Sequence, residues 1–277
     1  MIKRNLHISI LILFIFTSIS YSQIEDSVHF NPKDTFYTSI APNNIINSIR
    51  SGKAPIATIQ LSFNYNIGHL DMAGSENTLF RKDEFNSGAT FGTRYGYGAM
   101  LTGKISLHKA GNVRVNVSTG YNRFLSNFII EESPEGRVAY NVFSFGVGFE
   151  NNFNPTRKFK PYAGLDFQAN IINGNAELAT DSADFNVKIK NSVRYGLSLT
   201  LGFEYSVNDK FGFNVGYRLT HANIFGRKSQ VSATESETDL NDDNVTGGGI
   251  PYAGWKQFMF SSFYGGINFY IGLKNKK

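Results

Sequence analysis

Residues Ser192–Tyr205, SVRYGLSLTLGFEY, alternate strictly between apolar side chains and side chains that are polar or small. The odd positions from Val193 to Tyr205 are all apolar, and the even positions include Arg194 and Glu204. Because successive side chains of a β-strand point to opposite faces, the stretch predicts one strand with an apolar and a polar face. Such a strand is longer than the usual length of about five or six residues.

Seven other stretches repeat this alternation, so the chain is predicted to contain eight long strands. Taken over all eight, Gly, Ser, Thr and Asn dominate the polar face, and the other face is mostly aromatic and branched residues. The predicted strands are residues 56–67, 94–107, 113–122, 142–150, 162–171, 192–205, 211–220 and 262–271.

The connections between these strands alternate between short and long. The short ones are residues 108–112, 151–160 and 206–210, and the long ones are residues 68–93, 126–140, 172–191 and 221–256. Strict alternation of this kind is typical of antiparallel up-and-down barrels with an even strand number and both chain ends on one side. The sequence therefore predicts an all-β fold, an eight-stranded antiparallel up-and-down transmembrane β-barrel over residues 56–273.

The choice between a membrane barrel and a soluble one depends on which face points outward. A soluble eight-stranded barrel, such as a lipocalin, shows the same alternation with its faces reversed. A soluble surface carries roughly 25–35% charged residues, whereas the polar face here is mostly Gly, Ser, Thr and Asn. The apolar face carries no charge, as expected where a charge at mid-bilayer costs about 2–4 kcal/mol. These observations favour the membrane barrel.

The composition excludes several other classes of function. With 25 Phe, 14 Tyr and 27 Gly against 7 Pro, the chain favours strands and tight turns. The absence of cysteine excludes a disulfide framework, a thiolate metal site and a cysteine nucleophile. A dispersed net charge of +5 does not indicate nucleic-acid binding.

The N-terminal residues have the three parts of a secretory signal peptide. Lys3 and Arg4 precede the apolar run Leu6–Ile19, and small residues flank Tyr21 before Gln23. Residues 1–22 are therefore predicted to be a cleaved signal peptide, with an uncleaved signal anchor as the alternative.

The residues on either side of the predicted barrel are less informative. Residues 23–55 are interpreted as a periplasmic lead-in that includes a short helix near residues 43–52, or alternatively as a loosely ordered tail. Residues 274–277 form a basic tail.

Taken together, the signal peptide, eight strands, three short turns and four long loops resemble the small outer-membrane barrels of the OmpA transmembrane-domain, OmpX and OmpW type. The resemblance covers about Ala54 to Leu273 and is architectural. The end of the last strand, INFYIGL over 267–273, also resembles the aromatic C-terminal signal that the barrel-assembly machinery reads, although a basic tail follows it. The resemblance implies a monomer in the lipid of the bacterial outer membrane.

The charged residues of the polar face are the first candidate site. An eight-stranded barrel is just wide enough to be filled by side chains, so charges inside it must pair. They are interpreted as an ion-pair network that fills the lumen, with a narrow, weakly anion-preferring pore or a ligand crevice as the alternative. Arg194 has no obvious acid partner on a neighbouring strand. The candidate network comprises Arg94, Lys104, Arg114, Glu150, Asp166, Arg194, Glu204 and Arg218.

Two other motifs do not carry a site. His221 is followed by Ala222 and Asn223, without the Ser two residues on that outer-membrane lipid A deacylases carry, so no catalytic residue is assigned. Asp239, Asn241 and Asp243 have the first spacings of a calcium loop but lack its Gly and its final Glu. The loop at 221–256 is therefore expected to be an exposed, solvated acidic loop.

No cofactor and no metal are expected. The leading function is a structural or surface-interaction role carried by the long extracellular loops, which offer the surface for an extracellular ligand. A narrow passive channel for small or apolar solutes is the alternative, and a lipid-modifying enzyme is the third candidate. A Ser–His pair at the outer rim would favour the enzyme.

Overall fold

The computed structural model describes residues 54–72, 90–130, 133–179, 184–228, 236–240, 242–243, 246–247, 250–251 and 255–272. The predicted signal peptide, nearly all of the predicted lead-in and the basic tail lie outside these residues. No helix in the described part of the chain is long and apolar enough to cross a membrane.

Eight long strands form one closed antiparallel barrel. Each pairs with its neighbours in the chain, β11 pairs with β1 to close the ring, and three two-residue strands lie between β7 and β11. This confirms the predicted up-and-down barrel. The strands are β1 (Ala57–His69), β2 (Tyr95–Ser106), β3 (Val113–Ile130), β4 (Ser133–Asn152), β5 (Phe159–Ala179), β6 (Asp184–Ser206), β7 (Phe211–Phe225), β8 (Glu237–Thr238), β9 (Thr246–Gly247), β10 (Ile250–Pro251) and β11 (Met259–Ile271).

The two ends of the barrel differ. At one end, the turn end, residues 107–112, 153–158 and 207–210 connect the strands. At the other end, the loop end, the longest connections are residues 70–94 and 226–258. A short 3-10 helix, Leu70–Met72, begins the first of these connections, and Leu70 adopts a positive φ of 52°.

The two faces of the strands are arranged as the alternation predicts. Along β1 the even positions from Thr58 to Asn66 are buried inside the barrel, and the odd positions face outward. Large apolar side chains cover the outside, where Phe63 is 66% exposed and Val147 is 58% exposed. An apolar exterior around a polar interior is the arrangement of a membrane barrel and the reverse of a soluble one.

Strands β3 to β6 continue further than the sequence predicts. Residues 126–140 and 172–191 were expected to be long loops, but only residues 131–132 and 180–183 lie between the paired strands. The alternation continues through these extensions with its polarity reversed. Outward positions such as Arg123, Asn141 and Asn173 are polar, and inward positions such as Phe124 and Tyr140 are apolar and buried.

The reversal has a physical cause. Beyond the hydrocarbon the outer face of a strand meets water, so polar side chains are stable there, and the inner face can bury an apolar core. A strand predicted from one continuously apolar face therefore ends where the hydrocarbon ends. This explains why the predicted strands end near Phe143, Ile171 and Val193.

The position of this boundary predicts how outward substitutions to arginine behave. Val147 lies midway along the apolar exterior, whereas Asn175 lies beyond the reversal. We expect Val147→Arg to destabilise the barrel by about 2–4 kcal/mol and Asn175→Arg by about 0–1 kcal/mol, because only the first arginine faces the middle of the bilayer. Urea unfolding in lipid vesicles measures both. Equal costs would contradict the placement.

Candidate functional site

The interior of the barrel is the candidate site, and it is built in three levels. The first level, near the turn end, is a cluster of four buried charges. Lys104 Nζ lies 2.8 Å from Glu150 and 3.0 Å from Glu204. The Arg114 guanidinium contacts both carboxylates and lies 2.7 Å from Glu204. We call Lys104, Arg114, Glu150 and Glu204 the inner cluster.

The inner cluster joins opposite walls of the barrel. Arg114 on β3 and Glu150 on β4 are direct cross-strand partners. Glu204 comes from β6 and reaches across the lumen to β2 and β3. Each of these two carboxylates contacts both cations, so the four charges of the inner cluster pair with one another, as buried charges require.

Aromatic side chains complete this level. The Tyr162 ring lies 4.2 Å from Lys104 Nζ, and its hydroxyl is hydrogen-bonded to the Tyr264 hydroxyl at 2.6 Å. Lys160, which the sequence analysis placed in a connection, is also buried, donates to Ser206 Oγ and lies over the Tyr270 ring. Lys160 is thus an interior cation outside the predicted network, because the predicted strand begins only at Tyr162, whereas β5 begins at Phe159.

The second level, at mid-barrel, contains Asp166 and Arg218. Arg218 donates to Thr200 Oγ1 at 3.2 Å and lies 5.0 Å from the Tyr264 ring. Both side chains line a cavity of about 10 Å³, together with Gln60. That volume is the size of a single water molecule and far smaller than a ligand pocket.

The third level is at the loop end and contains the ion pair between Arg194 and Asp242. Arg194 Nε and Nη2 donate to the two carboxylate oxygens of Asp242 at 2.8 and 2.7 Å. Asp242 is fully buried. The expectation that the acidic loop is solvated is therefore wrong at Asp242, because the buried guanidinium requires a carboxylate and the loop supplies it.

Asn223 fixes this ion pair to the barrel wall. Its amide donates to Asp242 Oδ2 at 2.9 Å and to the Lys256 carbonyl at 2.8 Å, and accepts from the Phe258 backbone N–H at 2.7 Å. All the main hydrogen-bonding groups of the side chain are used. We call Arg194, Asn223 and Asp242 the latch, because it joins Asp242 and the backbone of Lys256 and Phe258 to the mouth of the barrel.

A break in strand pairing aims Asn223 inward. The β6–β7 register shifts between Tyr195 and Leu197, which face Phe225 and His221 respectively. Bulges of this kind redirect side chains. Gly196 lies opposite the bulge, where a Cβ would approach the His221 carbonyl oxygen to 2.1 Å, so only glycine fits there.

An aromatic cluster lies inside the mouth. Its rings contact each other at centroid distances of 4.8 to 5.8 Å, and each member is at most 3% exposed. We call it the aromatic plug. The interpretation of the lumen as wholly polar missed it, although the reversal of alternation beyond Asn122 and before Ser262 is a signal for it. Its members are Phe91, Phe124, Tyr140, Phe258 and Phe260.

The predicted network needs one correction in membership. Arg94 is exposed at the loop end, just before β2, with its guanidinium 5.6 Å from the Tyr95 ring. It was assigned to the lumen because it continues the even positions of β2, but the strand begins only at Tyr95. The other seven residues are all buried inside the barrel, divided among the three levels.

A Ser–His pair is present near the loop end. His69 Nε2 and Ser261 Oγ lie 2.8 Å apart, on β1 and β11. His221, the histidine with the sequence motif, is a different residue, which lies within β7 and is half-buried. Ser261 is only 2% exposed, so no substrate carbonyl can approach its Oγ in this conformation. The pair ties the two strands together.

The candidate calcium residues do not form a metal site in the described part of the chain. Asp239 and Asp243 are both half-buried, and Asn241 lies outside the described residues. No group of three or more His, Cys, Asp or Glu side chains is placed to hold a metal ion within the described ranges.

A closed barrel with an apolar exterior and a charged, filled interior defines the class of outer-membrane β-barrel proteins. Within this class the chain belongs to the outer membrane protein beta-barrel domain family, whose model matches residues 54–268. The sequence has no match among curated proteins.

Several solved structures are similar to this chain. Neisserial surface protein A (NspA) has 13% identity and a TM-score of 0.43, with 79% of this chain and 99% of that one covered. OprG from Pseudomonas aeruginosa has 12% identity and a TM-score of 0.43, covering 80% and 98%. Ail of Yersinia pestis has 9% identity and a TM-score of 0.38, covering 77% and 97%.

The latch predicts a large effect of a single isosteric change. Asp242→Asn keeps the shape but leaves the buried Arg194 without a counter-charge, which should cost about 3–5 kcal/mol. Glu177→Gln, an exposed change in β5, should cost less than about 0.5 kcal/mol. Urea titration followed by the fluorescence of Trp255, the one tryptophan of the chain, measures both. Equal effects would show that the ion pair does not hold the loop.

Lys256 predicts a pH dependence at the mouth. Burial, with Nζ 4.6 Å from the Phe91 ring, lowers the pKa of Lys256 from 10.5 to about 8, although Asp242 and Asp71 oppose the shift. Between these values the unfolded chain binds more protons, so the folded mouth becomes more stable as pH rises from about 8 to about 10.5.

The transition temperature of Trp255 fluorescence, measured from pH 7.5 to 10 in steps, checks this expectation. Wild type should gain stability with pH relative to Lys256→Met, which lacks the titrating group. Parallel curves for the two proteins would contradict it.

Proposed function

We propose that this protein is a sealed outer-membrane scaffold, without enzymatic activity, that holds a surface-interaction site on its long loops in the bacterial outer membrane. The observation that carries the proposal is the filling of the interior by buried side chains. The inner cluster, the Asp166–Arg218 level with its cavity of about 10 Å³, the aromatic plug and the latch all lie inside the barrel. Such a barrel supports the segments above it and contributes to the integrity of the membrane.

The extensions of β3 to β6 support the same proposal. They form a wall with a polar outer face beyond the hydrocarbon, and a buried apolar core packs behind this wall and supports it. Such a support for exposed segments suits binding to an external partner better than it suits passage of solutes. The sequence signals for export, residues 1–22, agree with this location and imply a mature start at Gln23.

Planar bilayer recording of the purified protein tests the seal. We expect no well-defined openings in wild type. Stable, reproducible conductance would overturn the proposal in favour of the narrow channel. Its interior would then prefer anions, because four membrane-depth cations (Lys104, Arg114, Lys160 and Arg218) face three acids (Glu150, Asp166 and Glu204).

Thiol labelling of intact cells tests the orientation. The chain has no cysteine, so a single introduced thiol reports its own location. We expect Asp181→Cys, between β5 and β6, to react with a membrane-impermeant maleimide, and Asp209→Cys, in a turn at the opposite end, to react only after lysis. The reverse pattern would place the long loops in the periplasm.

A further inference from the structure

The outward face of the extended strands carries a hydrogen-bonded row of polar side chains. The Tyr121 hydroxyl donates to Asn141 Oδ1 at 2.7 Å, and Asn141 Nδ2 donates to Asn173 Oδ1 at 3.0 Å. Asn173 Nδ2 then donates to Asn191 Oδ1 at 2.8 Å. We call Tyr121, Asn141, Asn173 and Asn191 the amide belt, which crosses four adjacent strands and spans roughly 14 Å.

The height of the amide belt is fixed by its neighbours. Phe143, Ile171 and Val193, the outward residues next to it on the side of the turn end, belong to the apolar exterior. The belt therefore lies where the hydrocarbon ends, and lipid phosphates lie immediately outside the hydrocarbon. A row of amides at this level faces headgroups rather than bulk water or acyl chains.

Within the described residues, the belt has amide N–H groups that its own row of hydrogen bonds does not use. An asparagine amide has two N–H groups, and the chain of bonds uses one from Asn141, one from Asn173 and none from Asn191. Each amide is at least partly exposed on the outward face. The row thus presents several N–H donors, side by side, to any acceptor outside it.

A cation lies at each end of the belt. Arg123 is the cross-strand partner of Asn141, and Lys190 immediately precedes Asn191. Lys190 lies 4.0 Å from Glu237, which also pairs with Lys188 at 3.7 Å. Lys188 and Lys190 thus share the single carboxylate of Glu237, so cations outnumber acids in this group of three side chains.

We propose that the amide belt, with Arg123 and Lys190, binds the phosphate of an anionic lipid headgroup in the outer leaflet. Aligned N–H donors between two cations complement the acceptor-only oxygens of a phosphate diester. A basic side chain near the membrane surface contributes about fivefold to the affinity for anionic lipid. The site lies on the outside of the barrel and does not depend on whether the lumen conducts.

Native mass spectrometry tests the proposal on the full chain, folded in a maltoside detergent whose headgroup has no phosphate. Phosphatidylglycerol is the probe. Arg123→Gln combined with Lys190→Gln should weaken its binding by about 25-fold, because the two fivefold factors multiply. Arg157→Gln combined with Lys158→Gln removes the same charge from an exposed turn at the other end and should change binding by less than about twofold.

Additional variants and probes in the same experiment test the identity of the ligand and the role of the amides. Asn173→Ala, which interrupts the belt without changing charge, should weaken binding by a smaller factor. Equal losses in the two charge variants would overturn the proposal, because net charge alone would then explain the binding. Equal binding of phosphatidylcholine, or displacement by inorganic phosphate at matched concentration, would also overturn it. Heat-modifiable gel mobility identifies variants that fold.

Discussion

The ion pairs of Glu204 with Lys104 and Arg114 reach across the lumen and set the conditions for everything else in the barrel. Eight strands leave an interior just wide enough for side chains, so any charge placed there is removed from water. A buried charge is tolerated only with a partner and hydrogen bonds. This constraint explains why every level of the interior joins several strands.

The same constraint extends beyond the membrane to the loop that closes the mouth. Arg194 lies deep enough that water cannot solvate it, and no strand supplies an acid at its level among the described residues. The acid comes from Asp242, about fifty residues further along the chain. The sequence predicts a solvated acidic loop and an Arg194 without an acid partner. In the structure the two pair with each other, and the ion pair attaches Asp242 to the barrel.

The outside of the barrel obeys the complementary constraint. Within the hydrocarbon only apolar side chains are stable on the outward face, whereas beyond the hydrocarbon polar side chains are stable there. The amide belt at Asn141 and Asn173 lies where the outward face changes from apolar to polar. The inward face changes from polar to apolar at the same level. Phe124 and Tyr140 form an apolar core there, because the outward face of the same strands is in water.

Three features of the barrel follow from the sequence alone. Alternation with period two determined the strand number, the order of short and long connections determined the antiparallel arrangement, and the low charge of the polar face determined the lipid-facing side, because all three are properties of local sequence. Alternation also identified most interior charges, from Lys104 to Arg218. The tertiary structure alone decided the partner of Arg194, the inward turn of Asn223 at its bulge and the aromatic plug. Those features join segments distant in sequence, and local periodicity contains no information on which distant segments meet.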